Sequence, residues 1–95
     1  MKGTMSMEEF AGSVCKCVKE HMPIELADVE VRAVFLDIGE GDAPMLLLVT
    51  RPWNNIATGF YLENWYQDYS AGHATVGTAA VAVLNDQRLY CMPIE

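Results

Sequence analysis

The first apolar pattern along the chain has a helical period. Apolar residues recur at intervals of three and four from Phe10 to Met22, which places them on one face of a helix. The preceding run Ser6-Met7-Glu8-Glu9 has the sequence of a capping box. Pro23 disfavours helical backbone at the residue before it. We therefore predict a first helix from about Met7 to His21.

The pattern then changes to the alternation of strands. Val29, Val31, Ala33 and Phe35 would share one face of a strand, and runs of turn-forming residues follow at 37–42 and 51–55. Three strands are predicted, at Asp28–Asp37, Met45–Val49 and Ile56–Tyr61. The first two form a hairpin.

The C-terminal third returns to a helical period. Apolar and aromatic residues from Leu62 to Tyr69 have helical spacing, and Gly72 stands where a glycine ends a helix. Thr75 can cap a last helix that runs to about Leu89. The apolar face of this last helix is Val76, Ala79, Ala80 and Val83. Its small residues permit close packing against a neighbour: Gly77, Ala79, Ala80 and Ala82.

This order of elements predicts an α+β fold. Because the helical stripes and the sheet face must cover each other, we expect a two-layer sandwich. It would contain an N-terminal helix, an antiparallel hairpin plus a third strand, and two C-terminal helices. The length of 95 residues predicts one domain over 1–95, with 1–5 as a disordered N-terminal segment and 91–95 as a tail.

The composition and net charge of the chain restrict the classes of partner that it can bind. With 52% hydrophobic and 20% charged residues the chain has a globular composition. Six basic residues face thirteen acidic ones, giving a net charge of −7, so nucleic acid and anionic membranes are poor partners. No secretion signal is visible and the three cysteines are odd in number, which together predict a cytoplasmic protein.

The residues that could carry chemistry form no complete motif. Cys15 and Cys17 would point about 200° apart on a helix, so they do not chelate one ion together, and we predict structural cysteines. Asp68, Ser70 and His73 are too close in sequence for a typical triad, which is assembled from separated segments. We predict no metal, no cofactor and no catalytic residues, which favours a non-enzymatic protein.

An aromatic cluster between positions 53 and 69 is the candidate binding surface. We expect Leu62, Trp65 and Tyr69 to belong to the core. Aromatic residues with a polar tip are favoured anchors of interfaces. The predicted binding residues are therefore Trp53, Tyr61, Tyr66 and His73.

The same segment resembles a known family. Residues 56–72, and above all Tyr61-Leu62-Glu63 with Tyr66, Tyr69 and Gly72, are similar to a segment of an uncharacterised domain family of gut-associated Firmicutes. The resemblance covers roughly residues 7 to 87. It implies a bacterial cytoplasmic protein and no particular activity.

Three functions stay open at this point. The first is a protein-interaction or self-association module, such as a homo-oligomer, that uses the aromatic segment and an exposed sheet edge. The second is a small-molecule binder or enzyme with a pocket between helices and sheet, onto which Tyr61, Tyr66 or His73 would converge. The third is a double-stranded RNA reader, which shares this order of elements but which the negative charge disfavours.

Overall fold

The computed structural model describes residues 4–35, 45–50 and 57–90. Its elements are α1 (Met7–Glu20), a 3₁₀ helix (Ile24–Leu26), β1 (Glu30–Phe35), β2 (Met45–Thr50), β3 (Ala57–Tyr61), α2 (Glu63–Ala71), α3 (Val76–Leu84) and α4 (Gln87–Tyr90). A first helix, a three-stranded sheet and further helices follow one another in the expected order, so the predicted α+β class is confirmed. The runs 37–42 and 51–55, predicted as turns, and the tail predicted at 91–95 lie outside the described residues.

The three strands form an antiparallel sheet in the order β1-β2-β3. Val31 pairs with Val49, and Arg32 pairs with Leu48, which in turn pairs with Gly59. The predicted antiparallel hairpin and third strand are therefore confirmed. Within the described part of the chain, β1 and β3 are the two edges of the sheet.

The core lies where α1 crosses one face of the sheet and meets α3. The centre of the helical stripe predicted for α1 is buried at Phe10, Val14 and Val18. The apolar face predicted for α3 is buried at Ala79, Ala80 and Val83 and half-buried at Val76. Ala11, Ala79 and Ala80 have no exposed surface, which lets the two helices approach closely. The main buried residues are Phe10, Val14, Val18, Leu26, Val31, Val49, Phe60, Leu62, Val83 and Leu89.

The predicted helix boundaries hold where a cap sets them. The Ser6 hydroxyl accepts a hydrogen bond from the Glu9 amide (3.2 Å), and the Glu9 carboxylate accepts one from the Ser6 amide (3.1 Å). This is the predicted capping box at the start of α1. Gly72 ends α2 with a φ of 87°, a left-handed conformation that glycine adopts without steric cost.

The last helix was predicted wrongly as one element to about Leu89. It is divided at Asn85 and Asp86 into α3 and α4. The Asp86 carboxylate accepts a hydrogen bond from the backbone amide of Arg88 (2.9 Å), which offers that amide an alternative to the helical bond. The described part of the chain thus contains three C-terminal helices rather than two.

The first strand was also predicted too long at its N-terminal end. Asp28 belongs to the turn that follows the 3₁₀ helix, and the strand begins at Glu30. Leu26, in the 3₁₀ helix, is 2% exposed, so its burial holds this segment against the core in place of strand pairing.

Candidate functional site

The three predicted binding residues that the structure describes have different surroundings. Trp53 lies outside the described residues. Tyr61, at the end of β3, is 64% exposed. His73 is exposed beyond α2, where its backbone amide donates to the Asp68 carbonyl (2.8 Å). Tyr66, in α2, contacts the N-terminal segment through its hydroxyl.

Tyr66 and Tyr69 hold the chain that precedes α1. The Tyr66 hydroxyl donates to the Met5 carbonyl (2.9 Å), and the Tyr69 hydroxyl accepts from the amides of Thr4 and Met5 (3.2 Å each). Their rings contact Phe10 at centroid distances of 5.5 and 4.9 Å. Two of the five residues predicted as a disordered segment are thus hydrogen-bonded, and the polar tip of Tyr66 is occupied within the fold.

Replacement of Tyr66 by phenylalanine should test this tie. Tyr66→Phe removes the donor to Met5 and keeps the ring against Phe10, so we expect a loss of about 1 kcal/mol in the free energy of unfolding. Amide hydrogen exchange at residues 4–6 should accelerate. Tyr61→Phe is the matched control, since Tyr61 is mostly exposed. Equal effects of the two changes would contradict the assigned role of Tyr66.

The other aromatic residues line a small concavity beside the β3 edge. Its volume is about 220 Å³, and its lining is Phe60, Tyr61, Trp65, Ala82, Val83, Asp86 and Arg88. Leu62, predicted as core, is fully buried, whereas Trp65 and Tyr69, predicted with it, are only half-buried.

Arg88 lines this concavity and contacts β3. Its guanidinium lies 4.4 Å from the centroid of the Phe60 ring and donates to the Gly59 carbonyl (3.2 Å) on the β3 edge. It also forms a two-bond pair with the Asp86 carboxylate (3.0 and 3.2 Å). These bonds from the Arg88 side chain and backbone hold the pKa of Asp86 below its ordinary value. A polar group of the β3 edge is therefore already satisfied by the protein itself.

The two described cysteines have different surroundings. Cys15 is buried, and its thiol donates to the Val31 carbonyl (3.5 Å), which ties α1 to β1. Cys17 is half-buried, with its sulfur 3.9 Å from Nδ1 of His21. Among the described residues no three metal-ligating side chains come together. Cys91 lies outside them.

The larger concavity lies beside β1, and we call it the β1 groove. It measures about 620 Å³ and is lined by Lys19, Met22, Leu26, Ala27, Val29, Glu30, Val31 and Arg32. The last turn of α1 forms one wall, the 3₁₀ helix and its turn form the end, and β1 forms the other wall.

The β1 groove combines an apolar floor with a charged rim. Leu26 and Val31 are buried in the floor, while Lys19, Glu30 and Arg32 are exposed at the rim. The rim side chains make no hydrogen bond or ion pair with the described residues. In the described part of the chain, a strand edge thus lies next to apolar surface and to charged side chains without a partner there.

The sequence predicts a functional surface between Trp53 and His73 together with an exposed sheet edge, and it does not predict the β1 groove. The available signal was the run Glu30-Val31-Arg32, in which opposite charges flank an apolar residue on a strand. The wall formed by α1 and the 3₁₀ helix depends on tertiary packing, so the pattern alone did not show a groove.

Comparison with family models, curated proteins and solved structures finds no match for this chain. The resemblance of residues 56–72 to the Firmicutes family therefore stays a prediction. In the part of the chain that the structure describes, no helix combines the length and apolar character needed to cross a bilayer.

Proposed function

We propose that this protein is a non-enzymatic, cytoplasmic interaction module that binds another polypeptide along the edge of β1. The observation that carries this proposal is the β1 groove, which places an edge strand beside an apolar floor. The aromatic segment, favoured from the sequence, gives less support because Tyr66 is tied to the N-terminal segment and the concavity that Tyr61 lines is small, about 220 Å³.

An edge strand supports binding because its backbone can extend the sheet. An added strand gains main-chain hydrogen bonds from the edge and specificity from the pockets that receive alternate side chains. Ala33 follows the buried Val31 on the same face of β1 but is itself exposed. Apolar surface is therefore available along the edge, next to the groove.

A charge placed on this edge should abolish binding. Inward-pointing charged residues on edge strands prevent strand addition, because the charge would be desolvated beneath the added strand. We expect Ala33→Lys to lose at least tenfold in the amount of each polypeptide captured from a lysate of the source cell. The measurement is quantitative mass spectrometry on immobilised protein.

Ala71→Lys is the matched control for Ala33→Lys. Ala71 is exposed at the end of α2, so the change adds the same charge away from β1. Circular dichroism should show both variants folded. Capture of the same polypeptides by all three proteins would show that β1 is not the binding surface.

A small-molecule binder is the second candidate, and the size of the β1 groove favours it. A volume of about 620 Å³ lies within the range of ligand pockets, roughly 300–1,000 Å³. Lys19 and Arg32 would select an anionic compound. A thermal-shift screen of carboxylates and phosphates tests this function, and a stabilisation lost in Arg32→Gln would favour it over strand addition.

A further inference from the structure

We propose that the strand added to β1 is β1 of a second copy of this chain, antiparallel and related by a twofold axis at Val31. This inference rests on the proposed function and names its partner. The product would be a six-stranded sheet continuous across two copies.

The charges of β1 are complementary to themselves in this arrangement. In an antiparallel pair with the axis at Val31, each residue faces the residue equally far from Val31 on the other side. Glu30 of one copy therefore faces Arg32 of the second copy, and Arg32 faces Glu30. Both side chains are exposed and have no ion-pair partner among the described residues. Opposite charges directly across a sheet stabilise the pairing.

The apolar positions match under the same axis. Val31 faces Val31 of the second copy, and Ala33 faces Val29 of the second copy. Val29 is half-buried and Ala33 is exposed, so the pairing would cover apolar surface on the face that α1 covers at Val31. Apolar residues thus meet apolar residues on one face, and opposite charges meet on the other.

Neighbouring registers lose this match. Cross-strand partners must lie on the same face of the sheet, so a twofold axis passes through a residue position. An axis at Arg32 would bring two arginines face to face, and an axis at Glu30 would do the same with two glutamates. Like charges directly opposite each other are destabilising.

The local charge also permits two acidic chains to approach at this surface. The chain carries a net charge of −7. The lining of the β1 groove contains two cations, Lys19 and Arg32, and one anion, Glu30, so its own balance is 2 − 1 = +1. Repulsion between copies is therefore weaker at β1 than the net charge implies.

Charge reversal tests the register. Sedimentation equilibrium and light scattering should show a dimer of the wild type. Glu30→Arg would oppose two pairs of arginines across the axis, and Arg32→Glu would oppose two pairs of glutamates. Each single variant should weaken the dimer about tenfold, because two symmetric pairs change from attraction to repulsion.

Two combinations should restore the dimer. In the double variant Glu30→Arg/Arg32→Glu, opposite charges face each other again, so its dissociation constant should return to within about threefold of the wild type. An equimolar mixture of the two single variants should form a heterodimer, since one copy then carries two arginines and the other two glutamates. This mixture also tests folding, because an unfolded variant would not form a heterodimer.

The outcomes separate this inference from the proposed function. A strictly monomeric wild type, or a dimer that neither single reversal weakens, would overturn the pairing at Val31. If the wild type is monomeric and Ala33→Lys still loses a captured polypeptide of another sequence, the proposed function holds and the self-pairing fails. If Ala33→Lys leaves the captured polypeptides unchanged, both the proposed function and the self-pairing are wrong.

Discussion

Replacement of Phe10 by alanine should cost about 3–5 kcal/mol in the free energy of unfolding. Phe10 has no exposed surface and lies where α1 meets α2, with its ring against Tyr66 and Tyr69. Truncation removes the buried ring and leaves a cavity that these two half-buried tyrosines fill only in part. Urea unfolding followed by circular dichroism measures the loss.

The same change should loosen the chain that precedes α1. The hydroxyls of Tyr66 and Tyr69 bond Thr4 and Met5 only while their rings are held in place by Phe10. Amide exchange at residues 4–6 should therefore accelerate along with the loss of stability.

Tyr61→Ala is the aromatic control for Phe10→Ala. Tyr61 is 64% exposed, so its truncation should change the free energy of unfolding by less than about 1 kcal/mol. A similar loss from both variants would mean that Phe10 is not the anchor between the two helices.

Elements set by local chemistry could be predicted from the sequence. The capping box at Ser6 and the glycine at position 72 satisfy backbone groups within a few residues of themselves, so their sequence signal suffices. The α3 start at Thr75 is similar, because the Thr75 hydroxyl accepts from the Thr78 amide (3.1 Å).

Element boundaries were harder to predict where side-chain bonds or distant packing compete with the local apolar pattern. Apolar spacing continues from Val83 to Leu89, yet the helix breaks between them because Asp86 bonds the Arg88 amide. The 3₁₀ helix was hard to predict for a related reason. It is held by the burial of Leu26, which depends on distant segments.

The aromatic segment shows why the partners of tyrosine hydroxyls are hard to predict from the sequence. From sequence alone, a tyrosine with an unassigned hydroxyl favours a surface contact. The partners of Tyr66 and Tyr69 lie more than sixty positions away, at Thr4 and Met5, and only the tertiary fold brings them together. The Tyr66 hydroxyl, which suggested a binding surface, therefore helps to anchor the N-terminal segment.

The two edges of the sheet differ in a way that favours β1 as the interaction surface. On β3, Arg88 satisfies the Gly59 carbonyl and covers the Phe60 ring, which discourages strand addition there. On β1, the described residues leave a groove with an apolar floor beside Glu30 and Arg32. If strand addition is confined to β1 in this way, two copies pair without forming endless sheets.

Leu89→Ala should show what holds the protected edge in place, at a cost of about 2–5 kcal/mol in the free energy of unfolding. Helix α4 has four residues, too few to be stable alone, and Leu89 is its fully buried contact with the core. Without that contact, Arg88 should leave Phe60 and Gly59, and amide exchange along α4 should rise toward that of an unfolded segment. Ile24→Ala is the control, since Ile24 is 87% exposed and its truncation should be nearly neutral. If Leu89→Ala left α4 protected from exchange, the Asp86–Arg88 pair rather than Leu89 would be what fixes this helix against β3.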